Sequence, residues 1–165
     1  MKAYLGLGSN LGDRFANLAE AVSRLRKSEG VRMGRVSPVY ETDPVGDPDQ
    51  PKYLNAAVEV ETELEPKNLL KRCLAIEREM GRVRREMWES RVIDIDVLLC
   101  GDEVVSTKEL IVPHPLFHER EFVLRPLSDI APHIVHPVLD ENIAELLAFV
   151  PESGVRKMEG MRLET

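Results

Sequence analysis

Residues 53–64 carry the sequence pattern that restricts the fold of this chain most strongly. Two sets of side chains alternate along them: Leu54, Ala56, Val58, Val60, Thr62 and Leu64 in one set, and Tyr53, Asn55, Ala57, Glu59, Glu61 and Glu63 in the other. A period of two places the sets on opposite faces of a strand, and antiparallel sheets commonly have one covered and one solvated face. The pattern therefore predicts a long antiparallel strand in which Tyr53 and Asn55 point away from the main core.

Strand and helix patterns follow one another along the rest of the chain. Apolar runs predict further strands at 3–8, 31–41 and 93–100. Apolar residues at helical spacing predict one helix between Asp13 and Gly30 and another between Pro66 and Gly81. The resulting order, β-α-β-β-α-β, is typical of a ferredoxin-like α+β fold, in which two helices cover one face of a four-stranded antiparallel sheet.

Glycines, prolines and the C-terminal region complete this prediction. Gly6, Gly8 and Gly12 are expected to mark the turn after the first strand, and the proline-rich segment 43–51 to form a long loop. Beyond residue 100 we expect a C-terminal extension with a short strand and two helices, at 110–112, around 120–130 and at 141–149.

The length and charge of the chain limit its domain organisation and its partners. With 165 residues, of which 43% are hydrophobic and 31% charged, it fits one globular domain spanning residues 1–165. A net charge of −7 argues against a nucleic-acid coat or a basic membrane-surface protein, so we expect neither nucleic acid nor membrane as a partner. Because the sequence has no long apolar run and no signal-peptide pattern, we expect a cytoplasmic protein with buried, reduced thiols at Cys73 and Cys100.

Two acidic residues alternate with apolar ones in the predicted strand at 93–100. A period of two places Asp94 and Asp96 on one face, and on the other Ile93, Ile95, Val97 and Leu99. Neighbouring carboxylates repel one another unless a cation offsets their charge, and Mg²⁺ prefers oxygen ligands completed by water and phosphate. A solvated strand face explains the same alternation, and the two residues by themselves favour that simpler interpretation.

A basic segment before this strand makes a functional interpretation of the two aspartates more favourable. Residues 71–91 contain seven Lys and Arg against four Glu, a local charge of +3 in a chain of net charge −7. Arg82, Arg84 and Arg91 directly precede the aspartates, and guanidinium groups are well shaped to bind phosphate. Carboxylates for a metal beside arginines for phosphate are typical of phosphoryl transfer, although at least half of these basic residues are expected to be ordinary surface charges.

Two other functions fit the same residues. A nucleotidyltransferase also combines a Gly-Ser turn, here residues 8–12, with a later Asp-x-Asp strand, and it would release free pyrophosphate rather than AMP. A ferredoxin-like ligand-binding or regulatory module is the non-enzymatic alternative, and such a module has no need for paired metal-binding carboxylates.

Seven stretches extend the comparison beyond single residues. In order from residue 4 to 132 they are YLGLGSNLGDR (4–14), SPVYETDPVG (37–46), QPKYLNAAVEVET (50–62), IEREMGRVR (76–84), RVIDIDVLL (91–99), VPHP (112–115) and HEREFVLRPLSDIAP (118–132). Together they closely resemble the 6-hydroxymethyl-7,8-dihydropterin pyrophosphokinase family of folate synthesis. The resemblance implies transfer of the β,γ-pyrophosphoryl group of ATP to the hydroxymethyl oxygen of the pterin, with release of AMP.

The resemblance also implies roles for the residues around the aspartate pair. Asp94 and Asp96 match the positions that hold two Mg²⁺ ions, and with Arg82 and Arg91 they match the catalytic positions. The nucleotide-binding positions that it implies are Glu77, Arg82, Arg84, Trp88, Arg91, Val97, His114 and Arg120.

A second group of residues matches the pterin pocket of the family: Thr42, Pro44, Val45, Tyr53, Asn55 and Phe122. Tyr53 and Phe122 are expected to stack on the two faces of the bicyclic ring. Asn55 offers both a donor and an acceptor to the edge of the ring.

The sequence departs from the family pattern near the predicted nucleotide site. Met87 stands where arginine is frequent, Glu89-Ser90 replaces Gly-Pro, and Leu74 occupies a position that often carries glutamine. These changes bear on ATP affinity and on closure of the arginine-rich loop. We expect ATP and a pterin as partners and a monomeric protein, with a dimer as the alternative.

Overall fold

The computed structural model of the chain describes residues 1–43, 49–81 and 92–163. Its strands are β1 (Lys2–Ser9), β2 (Val31–Val36), β3 (Tyr40–Thr42), β4 (Tyr53–Thr62), β5 (Asp94–Cys100), β6 (Val105–Ser106), β7 (Ile111–Val112) and β8 (Val155–Lys157). Its helices are α1 (Arg14–Arg26), α2 (Pro66–Glu79), α3 (Glu121–Ile130) and α4 (Ile143–Phe149), with a short 3₁₀ helix at Phe117–Glu119. Within these described ranges, no helix has both the length and the apolar character needed to cross a membrane.

The main sheet confirms the predicted α+β architecture and its antiparallel pairing. The strand order is β5-β1-β4-β3-β8, and β2 also pairs with β4. Every pairing between neighbouring strands in this sheet is antiparallel. The predicted number of four strands is wrong, because the second predicted strand is divided and the C-terminal β8 joins the edge of the sheet. The short strands β6 and β7 form a separate hairpin.

The single strand predicted at 31–41 is instead β2 followed by β3, and both pair with β4. The interruption follows from Ser37 and Pro38. Proline has no backbone donor for a sheet ladder. The backbone N–H of Ser37 donates to the carbonyl of Ala57 at 2.9 Å, and the Ser37 Oγ accepts from the N–H of Ala57 at 2.8 Å. A side chain thus replaces one backbone partner at the break.

The prediction that Gly6, Gly8 and Gly12 share a turn is also wrong for two of the three. Gly6 and Gly8 lie inside β1. Gly12 is in the turn and has a φ of +73°, a conformation that favours glycine. Asp13 then caps α1, since its side chain accepts a hydrogen bond from the N–H of Ala16 at 3.0 Å.

Helices cover both faces of the sheet. The expected pair, α1 and α2, packs through Leu18, Leu25 and Leu69 on the face that carries Leu5 and Val58. The C-terminal helices pack on the opposite face in a second apolar cluster, which contains Tyr4, Ala57, Leu124, Leu127, Ile143 and Leu146. The face that the sequence predicts to be partly wet is therefore largely buried.

A β-bulge shifts the side chains near the end of β5. Leu5 pairs with Val97 and Tyr4 with Leu99, which leaves Leu98 between them without a partner in the β1 ladder. Leu98 and Leu99 consequently both belong to the second cluster, whereas Ile95 and Val97 belong to the first. The predicted position of Leu99 on the same face as Ile95 is therefore wrong.

Both cysteines are buried free thiols, as expected. Burial is the main cause that raises the pKa of Cys73 and of Cys100 to about 12 in each case. Neither thiol forms a reactive thiolate at neutral pH.

Candidate active site

The floor of the candidate site is a row of residues across three adjacent strands. Gly8 on β1 lies opposite Asn55 on β4 and opposite Asp94 on β5. Gly6 likewise lies between Ala57 and Asp96. Because neighbouring strands are about 4.8 Å apart, the backbones at Asn55 and Asp94 are separated by about 10 Å, and Gly8 contributes no side chain between them. The missing side chain of Gly8 leaves a trough between Asn55 and Asp94, whereas the Leu98 side chain lies 3.5 Å from the Cβ position of Gly6.

Gly8 lies close to the side chains of its neighbours on β4. A Cβ added to it would lie 3.1 Å from Nδ2 of Asn55 and 3.5 Å from Cδ1 of Tyr53. Any larger side chain would fill the space above the strand.

A cleft of about 650 Å³ stands above this floor and is called the wide cleft below. It brings together seven of the predicted site residues: Thr42, Tyr53, Asn55, Asp94, Asp96, Arg120 and Phe122. These seven residues come from β3, β4, β5 and the start of α3, and they are up to 80 positions apart in the sequence (Thr42 to Phe122).

Two polar atoms in the wide cleft are buried without a hydrogen-bond partner among the described residues: Oγ1 of Thr42 and Oδ1 of Asn55. A buried polar atom that lacks a partner costs about 1–3 kcal/mol. Both residues are nearly buried, with 5% and 8% of their surfaces exposed. Such atoms indicate a ligand with hydrogen-bonding groups along its edge.

Aromatic and cationic side chains also line the wide cleft. The guanidinium carbon of Arg120 lies 5.8 Å from the centre of the Phe122 ring, within cation–π range. Tyr53, on β4, contributes a second aromatic ring to the same cleft. The lining therefore combines ring surfaces with a positive charge.

A second cleft, called the small cleft below, has a volume of about 390 Å³ and shares Asp94 and Asp96 with the wide cleft. The two carboxylates thus lie where the clefts meet, on one face of β5 as the alternation predicts. Its apolar lining comes from Leu70, Leu74, Leu110, Ile111, Pro115 and Val97. Its polar lining comes from Glu77, Lys108, Glu109 and His114.

The aspartate pair fits a metal ion that keeps most of its ligands from outside the protein. In the described part of the chain, no three His, Cys, Asp or Glu residues are grouped closely enough to hold an ion by themselves. Mg²⁺ is commonly bound by one or two carboxylates with water and phosphate oxygens. The donor set of Asp94 and Asp96 therefore suits Mg²⁺ bound together with a phosphate ligand.

Glu77 fixes the strand that carries this pair. Its side chain is almost completely buried, and its Oε2 accepts a hydrogen bond from the backbone N–H of Ile95 at 2.8 Å. Ile95 stands between the two aspartates, so Glu77 ties α2 to β5 at the level of the candidate metal ligands.

His114 presents a neutral imidazole to the small cleft. Burial, assisted by the charge of Arg120, lowers the pKa of His114 below its ordinary value. The N–H of Leu116 approaches Nδ1 of His114 at 3.5 Å, a long contact that favours the tautomer with its proton on Nε2. His114 therefore offers a hydrogen-bond donor.

Glu121 and Ser153 line the wide cleft but were not found by sequence reasoning. The only signal for Glu121 was its position between Arg120 and Phe122. No local pattern indicates Ser153, because it reaches the cleft through the pairing of β8 with β3, more than 110 residues away in the sequence.

Six predicted site residues lie outside the described residues: Pro44, Val45, Arg82, Arg84, Trp88 and Arg91. The departures at Met87 and Glu89-Ser90 lie there too. Leu74, the remaining departure, lines the small cleft.

Comparison with known families matches residues 4–132 to the model of 7,8-dihydro-6-hydroxymethylpterin-pyrophosphokinase (HPPK). A 2-amino-4-hydroxy-6-hydroxymethyldihydropteridine pyrophosphokinase of Methylorubrum extorquens is 49% identical over 158 residues, which cover 96% of this chain and 99% of that protein. The protein of the same name from Bacillus subtilis is 48% identical over 132 residues, which cover 80% of this chain and 79% of that protein. The folic acid synthesis protein fol1 of Schizosaccharomyces pombe is 45% identical over 154 residues, but this chain spans only 21% of it.

Solved structures show the same fold. The Plasmodium falciparum HPPK-DHPS wild type with pteroate matches 89% of this chain with a TM-score of 0.72 and 16% sequence identity. The chain spans 44% of that Plasmodium chain. The family match ends at residue 132 and therefore includes most of the lining of both clefts but not Ser153 or β8.

Proposed function

The chain belongs to the 7,8-dihydro-6-hydroxymethylpterin-pyrophosphokinase family, and from that premise we propose how its residues act in the reaction. The reaction is pyrophosphoryl transfer to 6-hydroxymethyl-7,8-dihydropterin in folate synthesis. ATP donates its β,γ-pyrophosphoryl group to the hydroxymethyl oxygen of the pterin, and AMP leaves.

The pterin binds in the wide cleft. Support comes from the trough at Gly8, which lies between Asn55 and Asp94 on the floor of the wide cleft. The buried oxygens of Thr42 and Asn55 accept hydrogen bonds from the N–H groups of the pterin edge. Tyr53 and Phe122 supply the ring surfaces on which the pterin stacks.

ATP binds in the small cleft. Its apolar lining, which includes Leu70, Leu74 and Ile111, suits the adenine ring, and its opening at Asp94 and Asp96 leads the phosphates toward the wide cleft. His114 donates through Nε2 to a phosphate oxygen, and Arg120 approaches the same phosphates from the side of the pterin. Val97 and Glu77 shape the wall of this cleft, with Glu77 acting through Ile95.

Asp94 and Asp96 would hold two Mg²⁺ ions together with phosphate oxygens of ATP. When bound, they neutralise phosphate charge and polarise the phosphoryl group. Arg82 and Arg91, which lie outside the described residues, complete the charge stabilisation, and Arg84 and Trp88 contribute to nucleotide binding. Pro44 and Val45 complete the pterin pocket. These roles rest on the family resemblance of the sequence.

In the transfer step the hydroxymethyl oxygen forms a new bond to the β-phosphorus of ATP. The bond between that phosphorus and the oxygen bridging to the α-phosphorus breaks, and the electron pair leaves with AMP. The hydroxyl proton is lost in the same step, and its proposed acceptor is Asp96, which lines both clefts. Stacking and edge contacts hold the pterin so that its hydroxymethyl group points toward that junction.

One observation carries this proposal: the same two carboxylates line both clefts. The test is to incubate the purified chain with ATP, Mg²⁺ and 6-hydroxymethyl-7,8-dihydropterin and to separate the nucleotide products. AMP and pterin pyrophosphate are expected in equal amounts. Free pyrophosphate would indicate nucleotidyl transfer instead. Absence of pterin-dependent ATP consumption would favour a ligand-binding module.

The proposal extends to the organisation of the protein. Residues 1–165 act as one domain, since β8 from the C-terminal extension is part of the main sheet. The protein acts as a monomer in the cytoplasm, where ATP is available and buried thiols such as Cys73 stay reduced. Light scattering coupled to gel filtration measures the mass directly, and a mass twice that of the chain would contradict the monomer.

A further inference from the structure

The segment Ser153–Lys157 returns from the C-terminal extension to the wide cleft. In β8, Val155 lies opposite Thr42 and Arg156 opposite Glu41. On its other side Thr42 lies opposite Tyr53 of β4. Thr42, one of the two cleft residues with an unpartnered buried oxygen, is therefore held between β4 and β8.

Arg156 fastens β8 to β3 through side chains. Its Nη2 lies 3.0 Å from Oε1 of Glu41 and 3.6 Å from Oδ1 of Asp43. The other oxygen of Glu41 accepts from Nη1 of Arg14 at 3.0 Å, and the same Arg14 nitrogen donates to the carbonyl of Lys52 at 2.9 Å. Glu41 thus connects β8 with the start of α1 and with the residue that precedes β4.

Glu121 fixes the other end of the segment. Its Oε1 accepts a hydrogen bond from the backbone N–H of Ser153 at 2.7 Å, and its Oε2 accepts from Nε of Arg125 at 2.9 Å. Only 2% of the Glu121 side chain is exposed. Its chain neighbours Arg120 and Phe122 line the wide cleft, so the position of Ser153 is linked to the position of the Phe122 ring.

Between these two ends, Gly154 lies directly against Asp43. It has a φ of +73°, and a Cβ added to it would overlap the carboxylate of Asp43. Only a glycine allows the backbone of the segment to approach the residue that follows Thr42 this closely.

We propose that Ser153–Arg156 is a specificity element for the pterin, which positions Thr42 through β3 and Phe122 through Glu121. Arg156 is a positioning residue, since it acts through Glu41 and is not among the described residues that line the wide cleft. The element is separate from the small cleft, to which none of its residues contributes among those described. This inference rests on the proposed function, because it takes the wide cleft as the pterin site.

The test compares the kinetic constants for the two substrates. Arg156→Ala removes the contacts of Arg156 with Glu41 and Asp43, and because exposed ion pairs contribute little, we expect the KM for the pterin to rise only about three- to fivefold. The KM for ATP and kcat should change less than about twofold, since the small cleft is untouched. Arg156→Lys, which keeps a cation, should recover part of the pterin affinity.

A matched control lies on the same strand. Lys157 follows Arg156, lies opposite Tyr40 and forms no ion pair with any residue that the structure describes. Lys157→Ala should leave both KM values unchanged. If it reproduces the effect of Arg156→Ala, overall charge and not positioning is the cause.

A second pair of variants tests the other end of the segment. Glu121→Ala leaves the Ser153 N–H without its acceptor and should raise the pterin KM about tenfold, whereas Glu121→Gln retains an acceptor oxygen and should stay closer to the original protein. Unchanged pterin KM in both Arg156→Ala and Glu121→Ala, or an equal rise in both substrate KM values, would overturn the inference.

Calorimetric titration with the pterin, in the presence of Mg²⁺ and a non-hydrolysable ATP analogue, separates this result from a failure of the proposed function. An unaltered protein that binds the pterin without producing AMP would refute the proposed reaction alone. An equal pterin Kd in the unaltered protein and in both variants would refute the positioning role. An unaltered protein that does not bind the pterin would refute both.

Discussion

Glu77 accepts a hydrogen bond from the backbone N–H of Ile95, the residue that separates the two aspartates of the candidate metal site. The bond is 2.8 Å long and buried, so it fixes the position of the β5 backbone relative to α2. A carboxylate that the family resemblance predicts for the nucleotide site thus acts on the backbone that presents the candidate metal ligands.

Glu77→Ala should therefore affect stability as well as activity. Removing the acceptor leaves the Ile95 N–H buried without this partner, which is expected to lower the free energy of unfolding by about 1–3 kcal/mol. Urea denaturation measures the loss. Glu77→Gln, which keeps an oxygen in place, is the control and should lose less. Equal stability of the Ala variant and the unaltered protein would show that the bond contributes nothing.

Gly8→Ala tests the trough between Asn55 and Asp94. The added methyl would lie 3.1 Å from Nδ2 of Asn55 and would occupy the floor of the wide cleft. Overpacking of this kind costs about 1–3 kcal/mol, so we expect the KM for the pterin to rise about tenfold with little change in the KM for ATP. Gly6→Ala is the comparison, since its methyl would meet Leu98 at an ordinary 3.5 Å and should have a smaller effect. A larger effect at Gly6 would contradict this geometry.

Thr42→Val should separate stability from ligand binding. The Thr42 hydroxyl is buried without a partner among the described residues, so a methyl of similar shape removes a desolvation cost. We expect a gain of about 1 kcal/mol, or a Tm about 2–4 °C higher, together with weaker binding of the pterin. Thermal unfolding with and without the pterin measures both. A variant that is less stable and binds the pterin normally would contradict the assigned role.

The ion pairs around Glu41 predict a pH dependence of stability. Hydrogen bonds from Arg156 and Arg14 hold the pKa of Glu41 below its ordinary value. A carboxylate with a lowered pKa stabilises the folded state above its unfolded pKa, and that contribution disappears as the pH falls through the folded pKa.

Glu41→Gln should accordingly be less stable than the unaltered protein near neutral pH, and the difference should shrink as the pH falls below about 4. Urea denaturation at a series of pH values checks this. A stability difference that stays constant across the series would show that the charge of Glu41 is not the cause.

The periodic segments of the sequence predicted the fold well. The alternation over 53–64 predicted β4 from its first residue, although the strand ends at Thr62, and it gave the outward direction of Tyr53 and Asn55 correctly. This worked because β4 is paired on both sides and its register is fixed by a buried face. The alternation of Asp94 and Asp96 likewise gave their shared face. These patterns are local, so the sequence alone is sufficient to interpret them.

The remaining features depend on contacts between distant segments. Gly6 and Gly8 resemble turn residues locally, and only their neighbours on β4 and β5 explain why a strand contains them. The bulge that moves Leu99 to the second cluster is a property of the β1–β5 register. The contribution of Ser153 to the wide cleft depends on β8, a strand of three residues with no periodic signal of its own.

Turnover of the Asp96→Ala variant is the most direct test of the proposed metal site. Among the residues that the structure describes, only Asp94 and Asp96 line both clefts, and both are proposed metal ligands. AMP formation with ATP, Mg²⁺ and the pterin should fall by about 10³-fold or more, while urea denaturation stays cooperative. Near-normal turnover by a folded Asp96→Ala protein would contradict the assignment of these carboxylates to the metal.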